Sequence, residues 1–269
     1  GACYGGKTGD VADGFVGTLL SLANAEHIAE LNIDASQIAQ LTDLNFGFSF
    51  NVVTNTNDTG QGSLRQFVNN ANTVTGANAM RFVPAVVTNA SGSGQTWWRT
   101  TVNTVLPTIT GVNATNTTVD GTAYSNTDGI TVVETNTANI GSNVTVGTNA
   151  LPLWVTPMPA PELELTGNTA VVINDGFVVD AGNVTIRRMA IQGFSNAVDG
   201  GTESLIRVGT SSASSFTNTL IEENVIGNNP IVSLPRYTGG NGVAITGADN
   251  GIIRRNIIAR TGDCLIVIA

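Results

Sequence analysis

A pattern of nine residues occurs three times in the last third of the chain, and it restricts the fold more than any other feature. The copies begin at Asn183, Asn218 and Asn250, so they are spaced by 35 and 32 residues. Each copy contains a short apolar run, a pair of like residues and a second apolar run, which is typical of two short strands joined by a bend. Units of this kind bury their apolar faces only by stacking on one another, as in solenoid proteins.

The three copies align residue by residue, and the alignment predicts which side chains stack. Two isoleucine positions are shared by all copies and are expected to form interior columns, Ile186–Ile221–Ile253 and Ile191–Ile226–Ile258. Asn224 and Asn256 share a bend position, where Asn tolerates a left-handed backbone and its amide can bond to the neighbouring unit. We predict an asparagine ladder at these two residues, interrupted at Met189.

A pair of charged residues follows the first shared isoleucine of each copy, and the sign of its charge alternates from one copy to the next. The pairs are Arg187-Arg188, Glu222-Glu223 and Arg254-Arg255. Strands stacked about 4.8 Å apart would let opposite charges on neighbouring units pair. At a solvated surface each pair is worth about 0.2–1 kcal/mol. We therefore expect the charges to set the register of stacking more than the stability.

The composition favours a mostly β protein outside the cell. Apolar residues make up 41% of the chain and charged residues 12%, which excludes intrinsic disorder. Thr, Asn and Gly are abundant, as in strands and tight turns, and this surface suits a secreted protein. The net charge of −9 excludes nucleic acid as a partner. No apolar run approaches the ~18 residues that would span a membrane, and the chain begins like a mature or excised product.

One helix is predicted, at the start of the repeat region. Ser63 and Gln66 match a capping box, in which Gln66 reaches back to the amide of Ser63. Apolar residues then follow at helical spacing, so we expect a helix over about 63–72 that caps the β region.

We divide the chain into a β leader or partial sandwich-like region at 1–48 and a repeat region at 49–269. Residues 15–28 place apolar residues at helical spacing, whereas residues 29–34 alternate like a strand, so we expect a strand after residue 27 and leave the earlier part open. Residues 44–52 also alternate like a strand.

Several segments resemble a known family. Residues 51–67, NVVTNTNDTGQGSLRQF, resemble the opening segment of large secreted bacterial cell-surface proteins with right-handed parallel β-helix repeats. Residues 106–110 (LPTIT) and 118–122 (TVDGT) look like the family's next landmarks, and 183–188 looks like one of its coils. Residues 44–48 are similar to the closing strand of the sandwich modules that precede such helices. The resemblance implies an all-β right-handed parallel β-helix with one N-terminal capping helix, and an adhesin-like role.

Parallel β-helices also include polysaccharide lyases and hydrolases, so catalytic motifs were sought. Residues 126–129 (NTDG) match the first motif of polygalacturonase-type hydrolases, but the paired Asp and the downstream His that those enzymes need are missing. The single histidine, His27, lies upstream of the candidate serines, and we predict no Ser-His-Asp triad. We therefore predict a turn at 126–129 and no catalytic residues.

The sequence contains two weaker candidate sites. Asp175, Asp180 and Asp199 come from neighbouring segments and could converge on Ca²⁺, but solvated turn aspartates fit them better, so no metal or other cofactor is predicted. Structural Ca²⁺ has no support in the sequence. Trp97 and Trp98 could stack on a sugar, although paired tryptophans more often pack inside. A carbohydrate-active enzyme or a glycan-binding module is thus the alternative function.

The two cysteines, Cys3 and Cys264, lie near opposite ends of the chain. They could be free thiols, join the two ends, or link two chains. A stack of six to eight units is about 30–40 Å long, and a disulfide needs Cα atoms within about 7 Å. Residues 263–269 are predicted to form an apolar strand that no capping segment follows, so either the chain is a fragment of a longer helix or another molecule covers this end. We therefore expect a non-catalytic extracellular structural protein that joins head to tail with itself through Cys3 and Cys264, as a filament or adhesin subunit, with surface glycans as further partners.

Overall fold

The structure is a computed structural model that describes residues 3–4, 28–29, 50–140, 144–146, 151–153, 157–194, 203–210, 216–227, 240–259 and 261–268. These residues contain one α-helix, α1 (Leu64–Thr73), a short 3-10 turn (Val112–Ala114) and many short strands. In chain order the strands are β1 (Cys3–Tyr4), β2 (Ile28–Ala29), β3 (Val52–Val53), β4 (Asn78–Ala79), β5 (Arg81–Phe82), β6 (Ala90–Gly92), β7 (Gln95–Val102), β8 (Ile109–Thr110), β9 (Thr117–Asp120), β10 (Asn139–Ile140), β11 (Val144–Val146), β12 (Leu151–Leu153), β13 (Met158–Pro159), β14 (Leu163–Gly167), β15 (Phe177–Asp180), β16 (Thr185–Arg187), β17 (Met189–Gln192), β18 (Ser204–Val208), β19 (Phe216–Thr217), β20 (Leu220–Glu222), β21 (Val225–Ile226), β22 (Asn241–Thr246), β23 (Ala248–Asp249), β24 (Ile252–Arg254), β25 (Ile257–Ile258) and β26 (Asp263–Ile268).

Three large sheets contain most of the strands. Sheet 1 has the order β25-β21-β17-β14-β7-β6, sheet 2 the order β26-β22-β18-β15-β8, and sheet 3 the order β24-β20-β16-β9-β4. Sheets 2 and 3 are parallel throughout, whereas sheet 1 is mixed because β6 pairs with β7 antiparallel. Five two-stranded sheets complete the described part, and three of these are antiparallel: β1–β2, β10–β13 and β11–β12.

This arrangement corrects the predicted fold class. The sequence predicted an all-β right-handed parallel β-helix, but the described residues form mostly short strands in several parallel and mixed sheets with one helix. That combination is α/β-like, and no solenoid is detected in the described part of the chain. One physical reason is the segment between β9 and β14, which the repeat does not anticipate. There the chain turns back on itself in two antiparallel pairs instead of adding a parallel strand.

The register between the three sequence copies is confirmed. Ile186 lies opposite Ile221, and Ile221 opposite Ile253, in sheet 3. The second column is aligned in the same way in sheet 1, with Ile191, Ile226 and Ile258 as its members. Because parallel pairing keeps equivalent residues side by side, a sequence repeat translates directly into columns of like side chains.

The structure also reveals a fourth copy that the sequence comparison missed. Within residues 116–124, positions 118–120 pair with the first copy, so that Val119 lies opposite Ile186 and Asp120 opposite Arg187. Glycine stands at position 121, where the later copies have a charged residue. A Cβ atom there would lie 2.1 Å from the carbonyl oxygen of Arg188. The match was hidden because Gly121 stands where the later copies have a charged residue, and because the antiparallel excursion separates this copy from the next.

A continuous apolar core lies between the three sheets and extends to the helix. Phe67, Phe82, Phe177 and Phe194 are its largest buried phenylalanines, and Leu163, Ile186 and Ile191 from three strands are also fully buried. A smaller cluster on the other face of sheet 1 joins Ile140 and Met158 of the β10–β13 pair to Ala190 and Val225. The excursion is therefore anchored to the sheet by its own apolar side chains.

The predicted helix is confirmed, with one change at its start. Ser63 is the N-cap, and its hydroxyl accepts a hydrogen bond from the amide of Gln66. Gln66 reaches back to the amide of Gly62 rather than to that of Ser63. Gly62 has a φ of 74°, and a Cβ atom there would lie 2.1 Å from the hydroxyl oxygen of Thr54. The helix packs against β8 and the 3-10 turn, so it covers one side of the sheets.

Arg65, in the first turn of this helix, ties the preceding loop to the end of β7. Its guanidinium group donates to the carbonyl and carboxylate oxygens of Asp58 and to the carbonyls of Thr104 and Val105. Asp58 also accepts from the backbone and side chain of Asn103. Burial acts to raise the pKa of Asp58, but the hydrogen bonds from Arg65 and Asn103 outweigh it and lower that pKa.

Most of the predicted leader, residues 1–48, lies outside the described residues, as do the 15–28 segment (apart from Ile28) and the strand over 44–48. The boundary near residue 48 stays a prediction. The described residues include no helix that is both long and apolar enough to cross a membrane.

Candidate functional site

A column of alternating charges runs across sheet 3. Arg187 Nε lies 2.8 Å from Asp120 Oδ2, and Arg187 Nη1 lies 4.0 Å from Glu222 Oε1. Glu222 is also 2.7 Å from Arg254 Nη2 on the next strand. Four neighbouring strands therefore contribute charges in the order minus, plus, minus, plus, which extends the alternation seen in the sequence by one residue.

A second column lies beside the first, at the corner where the chain leaves sheet 3. Arg188 Nε is 3.0 Å from Glu223 Oε2, and Arg255 Nη1 is 2.9 Å from Glu223 Oε1. All three residues have a left-handed backbone, with φ between 54° and 57°. Burial acts to lower the pKa of Arg188, but its contacts with Glu223 and Asp120 outweigh this and raise it. The corner charges thus stabilise a backbone conformation that non-glycine residues rarely adopt.

Asn224 and Asn256 follow these corner residues and bond to one another. Asn224 Nδ2 and the amide of Asn224 both donate to Asn256 Oδ1 at 3.0 Å. Asn224 Oδ1 accepts from the amide of Met189, and its Nδ2 also donates to the carbonyl of Ile186. Neither asparagine is left-handed, contrary to the sequence interpretation, because the preceding residue makes the bend.

A buried carboxylate at Glu164 ties three strands of sheet 1 together. It accepts hydrogen bonds from Trp97 Nε1 and Arg99 Nε on β7 and from Gln192 Nε2 on β17. The side chain of Glu164 is fully buried, so these donors replace the water that its charge would otherwise need. Sequence reasoning missed this network. The signal was the pair Glu162 and Glu164, two acidic residues in an otherwise apolar segment of a chain with few charges.

The two adjacent tryptophans are packed inside the protein. Trp97 is 0% and Trp98 5% exposed, and Trp98 makes an edge-to-face contact with Phe82 at 5.6 Å between ring centroids. The Trp98 Nε1 atom donates to the carbonyl of Val86. A ring stacks on a sugar only through an accessible face. The structure therefore gives both residues a packing role instead of the glycan contact considered from the sequence.

Glu162 is a second buried carboxylate, and it holds the segment that follows residue 134. It accepts from the amides of Thr135 and Asn136 at 2.8 Å and from the Thr135 hydroxyl at 2.6 Å. Burial raises the pKa of Glu162 above its usual range, and the nearby charge of Glu134 adds to this in spite of the three hydrogen bonds. Glu134 and Glu162 both lie on the wall of one cleft.

This cleft, of about 570 Å³, lies between the excursion and the charged corner of sheet 3. Its charged wall contains Glu134, Glu162, Arg188 and Glu223, and its apolar wall includes Met158 and several neighbouring proline and alanine residues. The cleft could hold a polar ligand such as a short saccharide, because hydroxyl groups can bond to carboxylates and to a guanidinium group at once.

A further feature is the side of the three sheets that lies away from β8 and the helix. Within the described residues β24, β25 and β26 are the last strands of their sheets. Ile252 is 51% exposed, and Ile253 is partly exposed although its partner Ile221 is fully buried. Cys264 belongs to the edge strand β26 and Cys3 to β1, but their side chains are outside the described part.

The remaining candidate residues from the sequence either make contacts that stabilise the fold or lie outside the described residues. Asp128 accepts from the hydroxyl of Thr131 and from the amides of Ile130 and Thr131, so residues 126–129 form a turn. The hydrogen bond from the Thr131 hydroxyl is the largest cause of the lowered pKa of Asp128. Asp175 pairs with Arg207 at 2.9 Å. His27 and Asp199 lie outside the described residues, within which no three His, Cys, Asp or Glu side chains could hold a metal ion.

Comparison with known proteins gives no independent identification. No protein-family model matches the chain, and no solved structure matches its fold.

Proposed function

We propose that the chain is a non-catalytic structural protein of an extracellular cell surface, a subunit of a filament or an adhesin. One observation carries the proposal. The charges along sheet 3 and its corner are paired with one another across successive strands, so this charged surface holds the strands of the sheet to one another.

The surroundings of the buried carboxylates support a structural role. Asp120 bonds to Thr122 and Arg187, Glu164 to three side chains on two strands, and Asp175 to Arg207 and the amide of Ser204. Each of these groups joins segments that are far apart in the chain. Carboxylates held by several fixed donors stabilise the fold, and the donors occupy the positions that a substrate would need.

We propose a head-to-tail mode of association. The helix packs against β8 at one side of the sheets, and β24–β26 are the last strands on the other side within the described residues, so a head-to-tail stack would join two different surfaces. Contacts between different surfaces generate open polymers. Cys264 in the edge strand of one copy and Cys3 of the next are the proposed covalent link. The resemblance of residues 51–67 to secreted bacterial surface proteins agrees with this role.

The test is sedimentation velocity and negative-stain electron microscopy of the purified chain over a range of concentrations, with and without reductant. We expect end-to-end assemblies that shorten in reductant and in the Cys264→Ser and Cys3→Ser variants. A monodisperse particle at every concentration, with both thiols free under oxidising conditions, would contradict the proposal.

The cleft supports a second candidate, a carbohydrate-active or glycan-binding protein. The observation in its favour is the pair Glu134 and Glu162 in one cleft, with a raised pKa at Glu162. Hydrolysis of a glycosidic bond uses a carboxyl group with a raised pKa as the general acid and a second carboxyl group beside it. Release of reducing ends or unsaturated products from acidic polysaccharides, lost in Glu162→Gln, would establish this function in place of the structural one.

A further inference from the structure

The charges on one wall of the cleft are already paired with one another. Among the described residues that line the cleft, Arg188 is the only cationic side chain. Its Nε lies 3.0 Å from Glu223 Oε2, and its Nη1 lies 3.6 Å from Asp120 Oδ2 and donates to the hydroxyl of Thr122 at 3.3 Å. Glu223 is also 2.9 Å from Arg255. This wall therefore offers a ligand little unpaired charge.

The other wall carries two neighbouring carboxyl groups without a cationic partner. Glu134 is exposed, and no arginine of the described part of the chain lies within 4.0 Å of it. Glu162 is buried and accepts three hydrogen bonds. A carboxylate has about four acceptor positions, so one remains. The charge of Glu134 acts on Glu162, which shows that the two groups are close to each other.

Asn136 supplies a separate observation on the same wall. Its side chain lines the cleft, the residue is only 3% exposed, and its Oδ1 accepts no hydrogen bond within the described residues. The other polar groups of Asn136 are bonded, since Nδ2 donates to the carbonyl of Pro161 at 3.1 Å and the backbone amide donates to Glu162. A buried acceptor without a donor is destabilising. Asn136 and the two carboxyl groups therefore favour a ligand that donates hydrogen bonds.

The apolar part of the cleft indicates what carries those donors. Residues 158–161 (MPAP) lie on it together with Val132 and Val133, and no aromatic ring is among the described residues that line the cleft. This surface suits an aliphatic stem, because methylene groups pack along apolar side chains while a terminal charge stays with polar groups. The volume of about 570 Å³ is far larger than a metal ion needs and is typical of sites for organic ligands.

We infer that the cleft binds a primary ammonium group on an aliphatic stem, which is the chemistry of a lysine side chain. The three donors of an ammonium group match Glu134, Glu162 and Asn136 Oδ1 as acceptors. The positive charge relieves the repulsion between the two carboxyl groups, and the stem packs against the apolar part of the cleft. The inference does not depend on self-association. It uses the cleft of the second candidate function but assigns it a cation and no bond cleavage.

The test is a nuclear magnetic resonance titration of the intact chain with two probes. The first is Nα-acetyl-lysine methylamide, and the second is its Nε-acetyl derivative, which keeps the stem and loses the charge. We expect the charged probe to bind at least about fivefold more tightly at low salt, with a difference that shrinks as salt is added. The largest shifts should occur at the amides of Thr135 and Asn136, because both donate to Glu162.

A third probe, n-butylamine, distinguishes two sources of the ammonium group. It has the lysine stem without the peptide backbone. Tighter binding of the lysine probe indicates a lysine of a polypeptide as the natural ligand, and equal binding indicates a free amine. Either result supports the ammonium group as the recognised chemistry.

Two variants locate the site. Glu134→Gln keeps the shape of an exposed side chain and removes its charge, so the affinity for the charged probe should fall at least about fivefold while that for the acetylated probe is unchanged. Glu222→Gln removes the same charge outside the cleft and should change the affinity by no more than about twofold. Equal affinity of the charged and acetylated probes, or equal losses in the two variants, would overturn the inference. Sedimentation reads self-association separately, and release of reducing ends reads hydrolysis, so each proposal can fail independently.

Discussion

Arg188 and Glu223 lie 35 residues apart in the chain, yet Arg188 Nε is 3.0 Å from Glu223 Oε2 and both residues have a left-handed backbone. The contact places opposite charges at the same corner of two neighbouring strands. Arg255 continues it on the next strand, where its side chain is 2.9 Å from Glu223. A single geometric feature of the repeat, the bend after the first apolar run, is thus coupled to the alternation of charge.

Reversal of one charge in the column tests its effect on stability. Glu222→Arg places a cation between Arg187 and Arg254, and we expect it to lower the free energy of unfolding by about 1–2 kcal/mol at low salt. The loss should shrink as salt is added, and restoring one attraction with Glu222→Arg/Arg254→Glu should recover part of it. Urea unfolding at two salt concentrations measures this. Glu222→Gln is the control and should lose no more than about 1 kcal/mol.

The left-handed corner predicts an unusual preference for glycine. At a φ of 54°, Arg255→Gly should be more stable than Arg255→Ala by about 1 kcal/mol, because a Cβ atom disfavours this conformation. Both variants remove the same charge, so their difference isolates the backbone. At the strand residue Arg254 the order should reverse, since glycine weakens a strand. Thermal unfolding of the four variants measures both differences, and the same order at the two positions would contradict the prediction.

The buried asparagine should be essential to the ladder. Asn224→Ala leaves the amide of Met189 and the carbonyl of Ile186 without their side-chain partner, and we expect a loss of about 1–3 kcal/mol. Asn218→Gly is the control, because it keeps a left-handed backbone and removes one exposed side-chain bond to Asn183. Its loss should be much smaller. Equal losses in denaturant unfolding would show that burial of Asn224 has no effect.

Glu162 should make stability depend on pH in a defined direction. Because folding raises its pKa, the folded state binds more protons than the unfolded state between the unfolded value of 4.5 and the folded value. The contribution of Glu162 is therefore greatest below the unfolded value and is lost as the pH rises through the folded pKa. Glu162→Gln does not titrate, so its stability relative to the unmodified chain should rise from about pH 4 to pH 7.

Asp128 is the matched control for this pH dependence, because its pKa is lowered by folding. Its contribution is present above the unfolded value of 3.8 and is lost as the pH falls through the folded pKa. Asp128→Asn should therefore change in the opposite direction to Glu162→Gln. Chemical unfolding from pH 7 down to values below the unfolded value of 3.8 measures both, and parallel profiles would contradict the assignment.

Local patterns in the sequence determined several features of this protein. The three aligned copies predicted the register of Ile186, Ile221 and Ile253, and Ser63 with the following apolar stripe predicted the helix. The alternation of Arg187, Glu222 and Arg254 predicted the charge column. These predictions succeeded because parallel pairing and helix capping depend on residue types at fixed spacings, which are visible without the fold.

Only the tertiary structure decided the class of fold and the surroundings of the functional candidates. The excursion after β9 folds back in antiparallel pairs, and no periodicity in its sequence indicates where its polar groups will bond. Glu162 and Glu164 are buried because donors from distant segments meet them, and Trp97 is buried where its Nε1 donates to Glu164 on the neighbouring strand. Burial and long-range hydrogen bonding depend on which segments are brought together in space, so residue type and spacing alone cannot determine them.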